Sequence, residues 1–213
     1  MKRLIWKVCG LRDSVNIREV SDLNPGMLGF IFYTGSPRYA DPELNISVLK
    51  SLAKTIKKVG VFVNEDNNRI LEICENYNLD FAQLHGNESP GQCKWLMERE
   101  LGIIKAFSID SHFDFSTLKD YEKYVEYFLF DTKGVFPGGN SFPFDWRLLD
   151  SYCLKTPFLL SGGISLDNFK GIEDIHHPML AGIDVNSRFE IKPGLKDLGK
   201  LKVLKILLEE IIN

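Results

Sequence analysis

The chain has few cysteines and no arrangement of them that organises a fold. Cys9, Cys74, Cys93 and Cys153 are scattered through 213 residues, and none forms a CxxC pair. This argues against a disulfide framework and against structural zinc, and free thiols fit a reducing compartment. Charge of either sign is not in excess. Lys and Arg number 26, Asp and Glu 29, and the net charge is −3. No basic surface advertises nucleic acid and no polybasic run advertises a membrane. An anionic substrate would need a local binding site rather than global steering. Long apolar runs are missing too. Lys7 interrupts the first one, which is too short for a signal peptide, and no later run is long enough to span a bilayer. The expected location is the cytoplasm. No Pro/Gly/Ser-rich linker or charge block divides the chain, and no internal repeat stands out, so residues 1–213 are expected to form one domain.

What is present is alternation. Short, nearly unbroken apolar runs recur with helical patterns between them. The runs predict strands at Leu4–Cys9, Met27–Phe32, Lys58–Val63, Asp80–Leu84, Gly102–Ala106, Tyr127–Asp131, Pro157–Leu160 and Met179–Asp184. Ser89-Pro90 predicts a helix start, with Gln92 placed for a capping box. Asn64 or Asp66 can cap a helix whose face holds Ile70, Cys74 and Tyr77, and residues 195–212 predict a terminal amphipathic helix. Cys74, Cys93 and Cys153 are expected to pack on helices. Eight strands with intervening helices point to a (β/α)8 barrel, with a doubly wound open sheet as the alternative.

Residues two apart on a strand share a face. Lys7 and Cys9 therefore face one way, as do Gln83 and His85, Leu129 and Asp131, and Gly182 and Asp184. Polar groups at so many strand ends suit a site better than they suit packing. Cys9 could be a small buried thiol or a base. An unperturbed thiol is only about 3% thiolate at neutral pH, and Lys7 on the same face would favour that form. Asp131 could cap a turn or act as a general acid. The apolar residues before it are expected to raise its carboxyl pKa. Ser161-Gly162-Gly163-Ile164-Ser165 reads either as a strand running into a helix start, where backbone N–H groups can cradle an anion, or as a plain tight turn. Ser187, after the last strand, adds a donor. Gly138-Gly139 lies in a long loop, either a lid or a plain connector. Arg38, in Ser36-Pro37-Arg38-Tyr39, could fork onto a carboxylate, although a surface arginine in a proline turn is the more ordinary reading. His85 is either a polar wall of the site or a satisfied packing histidine.

In this order, the motifs resemble the phosphoribosylanthranilate isomerase family of tryptophan biosynthesis. The matching pieces are Lys7-Val8-Cys9-Gly10, Gly29–Phe32 with Ser36–Tyr39, Val59–Asn64, Gln83–Gly86, Asp131-Thr132 with Gly138-Gly139 and Phe144–Trp146, Leu160–Ile164, and Gly182–Ser187 with Glu190, Pro193-Gly194 and Lys196-Asp197. The resemblance implies a cofactor-free, metal-free barrel that performs an Amadori rearrangement on a small phosphosugar-anthranilate substrate, with no nucleic-acid or membrane partner. It implies Asp131 as general acid and Cys9 as general base. Arg38 would bind the anthranilate carboxylate, and Lys7, His85 and Asp184 would also face the substrate. Gly138, Gly139, Gly162, Gly163 and Ser187 would bind phosphate. Asn140-Ser141-Phe142 departs from the family's Gly-Gly-Thr-Gly-Lys pattern, and Arg188 stands where a small residue is usual. Two other readings remain at this point: another phosphosugar barrel enzyme, and a non-catalytic phosphate-ligand binder. A monomer is the default expectation, with a homodimer as the alternative.

Overall fold

Eight runs rich in Val, Ile, Leu and Phe form eight parallel strands, and neighbouring strands close them into a barrel. In this computed structural model, which describes residues 4–41, 43–132 and 145–210, the strands are β1 Ile5–Val8, β2 Met27–Ile31, β3 Lys57–Phe62, β4 Phe81–Leu84, β5 Gly102–Ile109, β6 Tyr127–Thr132, β7 Phe158–Leu160 and β8 Leu180–Val185. They pair in chain order and β8 returns to β1, so the sheet has no edge and the open-sheet alternative is excluded. The strands are apolar on both faces because both are covered. Outward residues such as Val8, Leu28, Phe62, Phe128 and Ile183 join the core beneath the helices. Inward residues Met27, Val59, Phe81, Ile104, Leu129 and Leu159 fill the lower barrel. The upper interior is different: Lys7, Gln83 and Asp184 are buried there.

The helices are α1 Ser14–Ser21, α2 Ile46–Ser51, α3 Asn67–Tyr77, α4 Pro90–Met97, α5 Lys170–Glu173 and α6 Leu198–Glu210. Asp66, not Asn64, caps α3, accepting from the N–H groups of Asn68 and Arg69 at 2.8 and 3.4 Å. Asp66→Ala is expected to lower stability by about 1 kcal/mol, read as a shift of the urea midpoint at unchanged slope. Ser89 caps α4, but the capping box is only half made: the Gln92 side chain donates to the Glu65 carbonyl at 2.9 Å. The chain's last helix starts later than expected. Leu195-Lys196 is strand β10, which pairs with β9, Glu190–Lys192, in a hairpin after β8. Cys74 and Cys93 pack on helices as expected, whereas Cys153 is exposed and outside any helix.

The described connections before β6 and β7 carry 3₁₀ turns in place of α-helices, at Phe115–Asp120, Glu122–Tyr124 and Trp146–Ser151. The spacing of the apolar residues explains this. Phe115, Leu118 and Tyr121 recur every third residue, as do Trp146, Leu149 and Tyr152, and a three-residue turn brings such residues onto one line. Phe115 and Tyr152 then pack edge-to-face against Phe130 of β6.

Candidate active site

The polar residues that alternation places on inward faces meet at the carboxyl-terminal end of the barrel. Lys7 on β1 lies directly across from Asp184 on β8, and its Nζ donates to Asp184 Oδ1 at 2.9 Å. Lys7 is 0% exposed. Burial by itself would lower its pKa, but the Asp184 carboxylate and the Cys9 sulfur outweigh that, and its pKa is raised. Burial pushes the Asp184 carboxyl up, against the pull of Lys7.

Cys9 follows on the same inward face. Its neighbour Gly29 on β2 makes room for it, since a Cβ there would lie 2.7 Å from the Cys9 sulfur. Gly10 then ends the strand with φ +79, and a Cβ on it would meet the Asn186 amide and the Arg38 side chain at 2.7–2.8 Å. The Lys-Val-Cys-Gly sequence thus carries the end of β1 into a close approach with two other loops. The net effect of the surroundings on Cys9 reverses the sequence expectation. Burial pushes the thiol up, and the Lys7 and Lys196 cations recover only part of the shift.

The opposite wall is built by β4 and β6. Gln83 Nε2 lies 3.1 Å from His85 Nδ1, and His85 Nε2 lies 3.3 Å from Asp131 Oδ2. His85 and Asp131 are each 28% exposed at the side chain. The apolar surroundings that the sequence places around Asp131 do not enclose its carboxylate. Phe128 and Phe130 point outward into the helix-side core, and of the preceding residues only Tyr127 and Leu129 point inward with it. Asp184 feels the charges of both Asp131 and His85, so the two walls belong to one mouth.

Arg38 is not a surface arginine. It is 7% exposed and forks onto Glu190 of the β9 hairpin, with Nε at 3.0 Å from both carboxylate oxygens and Nη2 at 2.7 Å from one. Nη1 lies outside this pair. Lys196 Nζ reaches Glu190 and Asn186, both at 2.7 Å, and the Asn16 side chain holds the Lys196 backbone through two hydrogen bonds. Burial would raise the Glu190 carboxyl, but Arg38 and Lys196 hold it below its ordinary value. The sequence offers Glu190 and Lys196 only as motif residues, because their roles depend on a hairpin folding back 152 positions from Arg38.

Gly162 and Gly163, at φ +85 and +70, form the turn after β7. It does not run directly into a helix. The Asn168 side chain closes it by accepting from Ser165 N and donating to Gly163 O, and α5 starts only at Lys170. Ser187 is exposed and begins a short 3₁₀ turn after β8, with Arg188 also exposed beside it. Gly138 and Gly139 lie outside the described residues. A further buried pair has a sequence signal of its own, a lysine inside the apolar run Gly-Ile-Ile-Lys-Ala-Phe. Lys105 Nζ sits 3.1 Å from Glu88 Oε2 and donates to the carbonyls of Leu84, Gly86 and Ala106. Glu88 accepts from Asn64 N and Gly86 N, which holds the loop that presents His85.

The family model described as N-(5'phosphoribosyl)anthranilate (PRA) isomerase matches residues 6–205, which include both walls of this mouth and the β9 hairpin. The chain belongs to that family. It is an isomerase of tryptophan biosynthesis that carries out an Amadori rearrangement on a phosphoribosylanthranilate-type small molecule. N-(5'-phosphoribosyl)anthranilate isomerase of Parabacteroides distasonis is 48% identical over 202 residues, covering 93% of this chain and 90% of that one. The crystal structure of phosphoribosyl anthranilate isomerase from Thermotoga maritima is 30% identical with a TM-score of 0.85, covering 97% and 99%. A structure of phosphoribosyl anthranilate isomerase in complex with reduced 1-(o-carboxyphenylamino)-1-deoxyribulose 5-phosphate is 28% identical with a TM-score of 0.82, covering 97% and 99%. Among the described residues, no cluster of three or more His, Cys, Asp and Glu side chains is arranged to hold a metal ion, and no helix is long and apolar enough to cross a membrane.

Proposed function

We propose that the substrate is N-(5-phosphoribosyl)anthranilate and that this mouth converts it to 1-(2-carboxyphenylamino)-1-deoxyribulose 5-phosphate, with Asp131 as general acid and Cys9 as general base. The observation that carries this reading is the placement of Cys9 and the His85–Asp131 pair on opposite walls of one barrel end. Acid and base act on different atoms of the sugar, so they belong on separate strands. Asp131 protonates the furanose ring oxygen as the ring opens to a Schiff base. Cys9 takes the proton from C2, and the resulting enolamine tautomerises to the ketone. Asp184 faces the sugar hydroxyls. Lys7 acts from beneath, holding Asp184 and favouring the Cys9 thiolate.

The phosphate lies at the Gly162-Gly163 turn and Ser187, after β7 and β8, where barrels of this type commonly bind phosphate. Gly138 and Gly139 are further phosphate-binding residues in this proposal. Phosphate is remote from the reacting carbons, so its binding energy positions them. The whole chain, 1–213, serves as one catalytic domain acting as a cytoplasmic monomer without cofactor. Sedimentation of the purified protein as a dimer would overturn the monomer.

Arg38 holds the anthranilate carboxylate through Nη1 while Glu190 fixes the other edge of its guanidinium. Arg38→Lys keeps a charge beside Glu190 but loses the fork. Its KM for N-(5-phosphoribosyl)anthranilate is expected to rise about tenfold or more, with kcat changed less. Steady-state kinetics decide this, and an unchanged KM would remove Arg38 from the site.

A further inference from the structure

His85 faces Asp131 with one ring nitrogen and Gln83 with the other. Gln83 is 1% exposed, inside the barrel, where alternative partners are scarce. Its Nε2 serves His85 Nδ1, and its Oε1 is buried with no hydrogen-bond partner among the described residues. An orphaned buried amide oxygen is costly, and its retention calls for an explanation in what the residue does.

The two ends of the amide match the two states of the imidazole. Neutral His85 with its proton on Nε2 donates to the Asp131 carboxylate and accepts at Nδ1 from Gln83 Nε2. Protonated His85 donates from both nitrogens, and its Nδ1–H then needs an acceptor. A half-turn of the Gln83 amide places Oε1 there. We propose that Gln83 is a positioning residue whose amide turns to meet either protonation state of His85, allowing His85 to reload Asp131 with a proton after each turnover. The reloading step moves one proton from His85 Nε2 to Asp131 Oδ2. The ring goes from cation to neutral, the carboxylate becomes the acid, and the remaining Nδ1–H stays on Gln83 Oε1. The proton that charges His85 comes from the solvent, to which Cys9 returns the proton it took from C2, so each turnover leaves the proton count unchanged. This inference rests on the reading of Asp131 as general acid.

The charged groups facing His85 are Asp131 from β6 and Asp184 from β8, the latter paired with Lys7 from β1. Glu88 and Lys105 neutralise each other in the loop behind it. None of these takes the place of a group at Nδ1, so the amide can be tested separately.

The test is the pH profile of kcat/KM for Gln83→Met and Gln83→Glu beside the parent. Methionine offers no strong acceptor to Nδ1–H, so the protonated pair is disfavoured and the alkaline limb is expected to move down by about one pH unit. Glutamate offers a stronger acceptor, and the limb is expected to move up by about as much. A long-range nitrogen–proton NMR spectrum, with His85 assigned through His85→Gln and recorded above the alkaline limb, where Asp131 is ionised, should show neutral His85 protonated on Nε2 in the parent. Opposite shifts with that tautomer support the proposal. Unmoved limbs, shifts in one direction, or His85 protonated on Nδ1 above the alkaline limb would overturn it. If Gln83→Met does not fold, Gln83→Glu and the parent spectrum decide. Asp131→Asn separates the two readings: if it keeps full turnover, the acid assignment falls, and if it is inactive while the Gln83 limbs stay unmoved, only the relay falls.

Discussion

Cys9→Ala is expected to fold normally and to lose turnover of N-(5-phosphoribosyl)anthranilate by about 10³-fold, the range for removing a positioned general base. The thiol is buried beside Gly29 and its removal leaves only a small space, so thermal unfolding should change little compared with activity. The pH dependence gives a second signature. Burial holds the Cys9 thiol above its ordinary pKa, so the free enzyme carries mainly thiol at neutral pH. The thiolate fraction rises about tenfold per pH unit until the raised pKa is reached. The parent's kcat/KM should therefore climb with pH on its acid limb until the acid partner loses its proton. Whatever turnover remains in Cys9→Ala should lack that climb. The alkylation rate of Cys9 by iodoacetamide should follow the same curve. A folded alanine variant with nearly full turnover would end the assignment.

Asp131→Asn is expected to lower kcat by about 10²- to 10⁴-fold while substrate binding persists. Asparagine keeps the shape, and its amide oxygen still accepts from His85 Nε2, now 3.3 Å from the Asp131 carboxylate, so the wall keeps its hydrogen bond. What is lost is a transferable proton for the ring oxygen. The loss should appear in kcat, because the proton moves only as the ring opens. Single-turnover rates and the affinity for unreacted substrate, measured together, separate chemistry from binding. Equal losses in affinity and rate would make Asp131 a binding residue instead.

The site was readable in proportion to how local its signals are. Cys9, Asp131, His85 and Asp184 sit at the ends of apolar runs, and period-two alternation puts each on the same face as the residue two before it, the face that the closed barrel turns inward. The expectation for Cys9's ionisation failed because Lys7 is visible in the sequence and burial is not, and burial is the larger influence. The ordinary reading of Arg38 as a surface arginine failed for the opposite reason. Its partner Glu190 lies on a hairpin whose pairing, Leu195 with Lys192, was hidden inside what looks like the start of a helix. The Gly162-Gly163 turn was found, but not the Asn168 clamp that separates it from α5.

By itself the sequence determined the eight strands, their order and the family, because alternation, run length and motif spacing are properties of the chain. Only the tertiary structure decided that the sheet closes, that Lys7 spends its charge on Asp184, and that Gln83, His85 and Asp131 stand in one line. These depend on distances between residues far apart in the chain and on how much water each group loses. Both are set by the closed barrel as a whole, where exclusion of solvent makes each charge and each unpaired amide count for more than it would on a surface.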